Sequence, residues 1–168
     1  MSEMLVRNPC SDDVQNIIDL VYKTPGLDNN SPYFYNLWVR DWSLDSAVAI
    51  SDGRLLGALL GYVRPTCPNT YFAWQSCIEP EAKEPDIAVN LFDFILRSKS
   101  ASGVDRLEMS VDASNRRVSY LLGRLSRRYG SSVSSELLFS ELDLGGEHYA
   151  EELITIPILK LPQVISRD

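Results

Sequence analysis

The chain has 168 residues, 45 % of them hydrophobic and 23 % charged, and 16 Lys plus Arg against 23 Asp plus Glu give a net charge of −7. These values exclude a disordered or fibrous chain and fit one domain over residues 1–168, with a core from about residue 4 to 160. The acidic balance excludes non-specific nucleic-acid binding, which needs positive potential. No apolar run approaches the roughly 20 residues of a membrane helix, and MSEMLVRNPC lacks the basic start and apolar stretch of a signal peptide. Cys10, Cys67 and Cys77 are too widely spaced for a disulfide framework or a zinc site, and His148 is the one histidine. A cytoplasmic protein with no metal is expected.

Leu5–Arg7 reads as a short first strand. Ser11-Asp12-Asp13 then opens a helix with Ser11 as its cap, and Val14, Ile17, Ile18, Val21 and Tyr22 give it one apolar face. Pro25-Gly26 ends it. Ser31-Pro32 opens a second helix that continues through YFYNLWVRDW. Ala47–Ile50 and Leu55–Val63 flank Ser51-Asp52-Gly53-Arg54, a hairpin signal, and Thr70–Ile78 is another strand. A helix is expected from about Pro85 to Arg97, a strand over Arg106–Val111 and a helix over Asn115–Tyr129. Val133–Phe139 and Leu153–Leu159 read as closing strands. The order β-α-α-β-β-β-α-β-α-β-β makes the class mixed α/β, a central sheet flanked by helices.

Several segments carry a resemblance over about residues 5–158. Leu27-Asp28-Asn29-Asn30-Ser31-Pro32-Tyr33-Phe34-Tyr35 is the sharpest, and Asp52-Gly53-Arg54-Leu55-Leu56-Gly57, Gly61-Tyr62-Val63-Arg64-Pro65 and Phe72-Ala73-Trp74-Gln75 agree in order. So do Ser114-Asn115 with Ser119, and Gly145-Gly146-Glu147-His148 followed by Glu151-Glu152-Leu153. Together they resemble the diaminobutyrate acetyltransferases of ectoine synthesis, members of the GNAT superfamily. The resemblance implies a GNAT fold and a diamino-acid site near Asp28, Tyr33, Tyr35, Trp74, Gln75, His148 and Glu151. The chemistry is consistent: a carboxylate at Asp28 suits an ammonium, the tyrosines offer hydroxyls and apolar walls, and Trp74 can hold a cation over its ring. Glu151 or Glu152 suits the distal amine. Each also has a plainer role, Asp28 as a turn cap, Trp74 as core and the glutamates as a solvated face.

GNAT enzymes hold acetyl-CoA at the helix after the fourth strand, through a loop reading Arg/Gln-x-x-Gly-x-Gly/Ala. The aligned run here is Ala82-Lys83-Glu84-Pro85-Asp86-Ile87-Ala88. Lys83 stands in the basic position and Ala88 in the final small one, but Glu84 and Asp86 replace glycines. Their carboxylates are expected to occupy the N–H groups that cradle the diphosphate, and Pro85 removes a donor. Like-charge contacts of about 1 to 4 kcal/mol each would lower affinity by about 10²–10⁴-fold. Asn115 completes the loop's cofactor set. The general-acid Tyr of many GNAT enzymes aligns with Leu122, and Tyr120 lies on another helix face.

The reading favoured on these grounds is a degenerate homologue that has lost acetyl-CoA-dependent transfer. It expects no cofactor, assigns no catalytic residue and expects a protein partner or homodimer in amino-acid-derived metabolism. The alternative is a working enzyme that moves acetyl from acetyl-CoA to an amine of 2,4-diaminobutyrate or a related diamino acid. A third is a CoA-independent enzyme or binding protein. Residues 34, 38 and 41 lie on one face of the second helix and 35 and 42 on another, so aromatic side chains on two faces leave either a pocket wall or a partner surface.

Overall fold

The computed structural model describes residues 4–84, 86–112, 115–146 and 148–161. In chain order these form β1 (Leu5–Arg7), α1 (Val14–Lys23), α2 (Pro32–Trp42), β2 (Ala47–Ser51), β3 (Arg54–Val63) and β4 (Thr70–Ile78). Then come α3 (Ile87–Ser100), β5 (Arg106–Asp112), α4 (Arg116–Tyr129), β6 (Ser134–Phe139) and β7 (Glu151–Pro157). The order is the one read from the sequence. A 3₁₀ turn over Ser11–Asp13 leads into α1, and Ser11 does not cap it. Asp13 accepts the Cys10 N–H at 2.7 Å and pairs with Arg7 of β1 at 2.7 and 2.9 Å, which fixes the approach instead. Ser31 does cap α2: its hydroxyl accepts the Phe34 N–H at 3.3 Å, with Pro32 as the first helical residue.

The strands make one seven-stranded sheet in the order β1-β2-β3-β4-β5-β7-β6. Among the described residues only the β4–β5 pair runs parallel, which the intervening α3 permits. The apolar face of α1 (Val14, Ile17, Ile18, Val21) and the inner side of α2 (Tyr35, Trp38, Val39) cover one side of the sheet. Ile87, Leu91, Phe92, Ile95 and Leu96 of α3, with Leu125 and Tyr129 of α4, cover the other. Burial of each such side chain contributes about 1.5–3 kcal/mol, so this three-layer packing fixes where the strands sit. No helix among the described residues is long and apolar enough to cross a membrane.

Two features of the sheet open a site at its centre. The β4–β5 ladder spans only Thr70–Ala73 against Arg106–Met109, and beyond it the two strands diverge. At the same level Leu60 faces Gln75 and Gly61 faces Ala73, so Trp74 is the extra residue of a β-bulge.

The ends of helix α3 and strand β7 differ from expectation, and α3 runs on to Ser100. Helix α3 starts at Ile87, because Asp86 has φ 64°, a left-handed conformation that no α-helix contains; Pro85 lies outside the described residues. Strand β7 starts at Glu151, since Glu151 and Glu152 pair with Asp112 and Val111 of β5 despite their polarity. It ends at Pro157, after which the Ile158 N–H turns to the Asp105 carbonyl at 2.7 Å and that of Leu159 to Tyr129 at 3.1 Å.

Candidate active site

A cavity of about 210 Å³ fills the gap where β4 and β5 part. β4 contributes Ala73, Trp74, Gln75 and Ser76, and β5 contributes Met109, Ser110, Val111 and Asp112. Gly26, Leu27 and Asp28 come from the loop before α2, Phe92 from α3, Asn115, Val118 and Leu121 from the start and body of α4, and Glu151 from β7. The site therefore sits outside the carboxyl ends of the parallel pair, where the sheet changes direction.

Its wall is acidic. Asp112 and Glu151 stand directly opposite each other in the β5–β7 ladder, and Asp28 reaches the same cavity from its loop. Burial raises the Glu151 carboxyl above its ordinary range; a Ser110 hydrogen bond opposes this, the Asp112 and Asp28 charges add to it, and His148 opposes it again. Three carboxylates around one cavity repel one another and favour a cation between them. Among the described residues no group has the geometry to hold a metal ion.

The other residues expected at the site fall into distinct positions. Trp74 lines the cavity and stacks on Trp38, with ring centroids 4.9 Å apart and planes 24° from parallel, while Phe34 packs on it at 5.0 Å. Tyr35 is fully buried and donates its hydroxyl to Gln75 Oε1 at 3.1 Å, and Gln75 Nε2 donates to the Asp28 carbonyl at 3.0 Å. Tyr35 and Gln75 thus fix the loop that carries Asp28. Tyr33 does not join them: it is 73 % exposed and lines a separate groove with Cys10, Val14 and Leu37. The two tyrosines are about 200° apart around the helix, so one cavity does not collect both. His148 is exposed, close enough for its charge to act on Glu151; Glu147 and Ser114 lie outside the described residues. Trp42 is partly exposed and packs against Trp38 with its ring tilted by 42°.

Ser110 and Asp112 were not among the residues expected at the site. Their signal in the sequence is positional: they end a parallel strand just before a helix, where α/β sheets bind ligands.

A second cavity of about 220 Å³ lies between the start of α3 and α4, lined by Ile78, Ala82, Glu84, Asp86, Ile87, Ala88, Tyr120, Leu121 and Arg124. Leu121 lines both cavities, so they adjoin. Here the loop departs from expectation. The Asp86 carboxylate does not cap α3 but pairs with Arg124 of α4. The Glu84 carboxylate accepts the Lys83 backbone N–H at 3.1 Å. No side-chain cap is placed on the first turn of α3, whose N–H groups and positive dipole end stay available to an anion. Asp86 also keeps the left-handed backbone that a glycine would adopt there. The loop fits a phosphate-bearing ligand. Lys83 lines a different cavity, beside Asp52, Glu79 and Glu81. Leu122 packs against the core, and Tyr120 is exposed on the second cavity.

No family model matches the chain. It is 32 % identical over 164 residues to the L-2,4-diaminobutyric acid acetyltransferase of Halomonas elongata, covering 97 % of this chain and 85 % of that protein. It is 34 % identical over 154 residues to that of Chromohalobacter salexigens, covering 91 % and 80 %. Its fold matches the diaminobutyrate acetyltransferase EctA from Paenibacillus lautus, solved in complex with its substrate L-2,4-diaminobutyric acid and coenzyme A, with TM-score 0.86, 24 % identity and coverage of 97 % and 99 %. The ribosomal-protein-S18-alanine N-acetyltransferase from Escherichia coli shares the fold at TM-score 0.67 and 11 % identity, covering 97 % and 99 %.

These relatives overturn the expectation of a degenerate subunit that has lost transfer. They are named as acetyltransferases and align along nearly the whole chain. The physical premise of that expectation holds only in part: Glu84 does take a loop N–H, that of Lys83, but the Asp86 carboxylate pairs with Arg124 and leaves the first turn of α3 uncapped. The chain, with its mixed seven-stranded GNAT sheet, belongs to the diaminobutyrate acetyltransferase family.

Proposed function

We propose that this protein transfers the acetyl group of acetyl-CoA to an amine of 2,4-diaminobutyrate or a closely related diamino acid. The observation that carries the reading is the cavity between β4 and β5, with Asp28, Asp112 and Glu151 on its wall and Trp74 at its side. A substrate with two ammonium groups matches that charge, and the Trp74 ring suits its short aliphatic stem or a cation over its face.

Acetyl-CoA supplies an acetyl thioester whose carbon accepts the amine. The amine nitrogen attacks once it has lost a proton, the C–N bond forms, the C–S bond breaks and the sulfur leaves as the CoA thiol. Glu151, with its raised carboxyl, is the group suited to orient the amine and take up its proton. Asp28 holds the second ammonium, and Gln75 and Tyr35 fix Asp28 through its carbonyl. The open first turn of α3 and Asn115 are the groups suited to hold the acetyl-CoA. Three free cysteines, at positions 10, 67 and 77, are consistent with the reducing cytoplasm.

The test is direct. Purified protein is incubated with acetyl-CoA and 2,4-diaminobutyrate, and free thiol and acetylated product are followed together. Equal release of thiol and product supports the reading. Hydrolysis of acetyl-CoA without product, or no reaction with any short diamino acid, overturns it.

A further inference from the structure

The start of α3 faces α4 across the second cavity. Asp86 spans that gap with its carboxylate on the Arg124 guanidinium, and Arg124 lies over the Tyr120 ring at 5.8 Å from its centroid. Both members are accessible, at 29 % for Arg124 and 49 % for Asp86, so the pair is weakly held against competitors in solution. The Tyr120 ring gives the guanidinium a second contact at the cavity, independent of Asp86. Lys83, the basic residue of the loop itself, points to the cavity by the β2–β3 turn. The cation at the start of α3 thus comes from α4.

We propose that Arg124 clamps the diphosphate of acetyl-CoA and that Asp86 acts beforehand as an internal substitute anion for it. This rests on the acetyl-CoA reading above. A carboxylate offers one negative charge; a diphosphate offers more, with oxygens that match the planar guanidinium fork. Arg124 exchanges Asp86 for the incoming diphosphate, which settles between the guanidinium and the open N–H groups of α3. Until then the exchange partner keeps Asp86 from capping the helix and blocking those donors.

Calorimetric titration of acetyl-CoA into the protein, Arg124→Gln and Asp86→Asn tests this, with dephospho-CoA as a second ligand. Asn tolerates the left-handed backbone at position 86, so Asp86→Asn retains the loop. Arg124→Gln is expected to bind acetyl-CoA about 10- to 100-fold more weakly. Asp86→Asn is expected to bind it about two- to fivefold more tightly. The Arg124→Gln deficit is expected to persist with dephospho-CoA, which keeps the diphosphate and lacks the 3′-phosphate. A deficit that vanishes with dephospho-CoA overturns the diphosphate assignment. Unchanged affinity in Arg124→Gln overturns the clamp, and unchanged or weaker affinity in Asp86→Asn overturns the substitute anion. In both cases binding by the unaltered protein leaves the acetyl-CoA reading standing. Absence of binding by all three proteins overturns that reading and the exchange with it.

Discussion

Glu151 meets Asp112 across the β5–β7 ladder, an arrangement that costs stability and concentrates negative charge on the cavity wall. Burial is the main cause of its raised carboxyl, so the folded protein holds the Glu151 proton more tightly than the unfolded chain does. The destabilising effect is therefore absent well below the ordinary carboxyl range, grows as pH rises through it, and is complete once pH exceeds the raised transition of the folded protein. Glu151→Gln is expected to melt at a higher temperature than the unaltered protein at pH 7, with the gap closing as pH falls; thermal melts across a pH series check this. The same variant is expected to raise the KM for the diamino acid about 10- to 100-fold, through loss of a charged contact. In the unaltered protein, KM is expected to rise as pH falls through the Glu151 transition, because a neutral carboxyl no longer opposes an ammonium. A second prediction concerns Tyr35. Tyr35→Phe leaves Gln75 Oε1 without that donor in a buried site and is expected to cost about 1–2 kcal/mol in urea unfolding. It is also expected to weaken diamino-acid binding, since Gln75 carries the Asp28 loop.

At the scale of elements, α3 and α4 are joined by a buried carboxylate. Asp93 is 5 % exposed; it accepts from Arg128 Nε at 2.8 and 2.7 Å and from the Tyr129 hydroxyl at 3.2 Å, with Arg97 at 3.9 Å. Asp93→Asn is expected to cost about 2–3 kcal/mol by urea unfolding, because it leaves cations facing a neutral group. The bulged β3–β4 pair beside the site has its own constraint at Gly61 of β3: an added methyl there would overlap the Tyr71 hydroxyl and the Phe72 carbonyl oxygen. The element order was legible because α1 and α3 carry helical apolar periods and β2 to β4 carry long apolar runs. Where periodicity competed with a charge partner, the ends were not legible. The start of α3 depends on Asp86 adopting a left-handed backbone while paired to Arg124, residues 38 positions apart. The start of β7 depends on two glutamates that look like surface but pair with β5. The candidate site was legible where one short segment carries it, as at Asp28 and at Trp74-Gln75. Asp112 was not, since the carboxylate it faces, Glu151, lies on another strand far along the chain.

At the scale of the molecule, the sheet is tied through α3 and α4 on one side and through α1 and α2 on the other, and the strands part at the central β4–β5 seam. Beyond Ala73 and Met109 the facing edges of these strands have no ladder with each other. Hydrogen exchange is expected to be fastest, within the central strands, in the seam-facing amides of Gln75–Ile78 and Ser110–Asp112. It is expected to slow there when acetyl-CoA and the diamino acid are added together. The aromatic stack beside that seam has an optical consequence. The chain's three tryptophans, Trp38, Trp42 and Trp74, form one column, with Trp38 4.9 Å from Trp74 and 5.2 Å from Trp42. Indoles this close share excitation, so light absorbed by any of them is emitted by the group. Since Trp74 borders the cavity, the intrinsic emission of the three indoles is expected to change when that site is filled, which a fluorescence titration with 2,4-diaminobutyrate checks without a label.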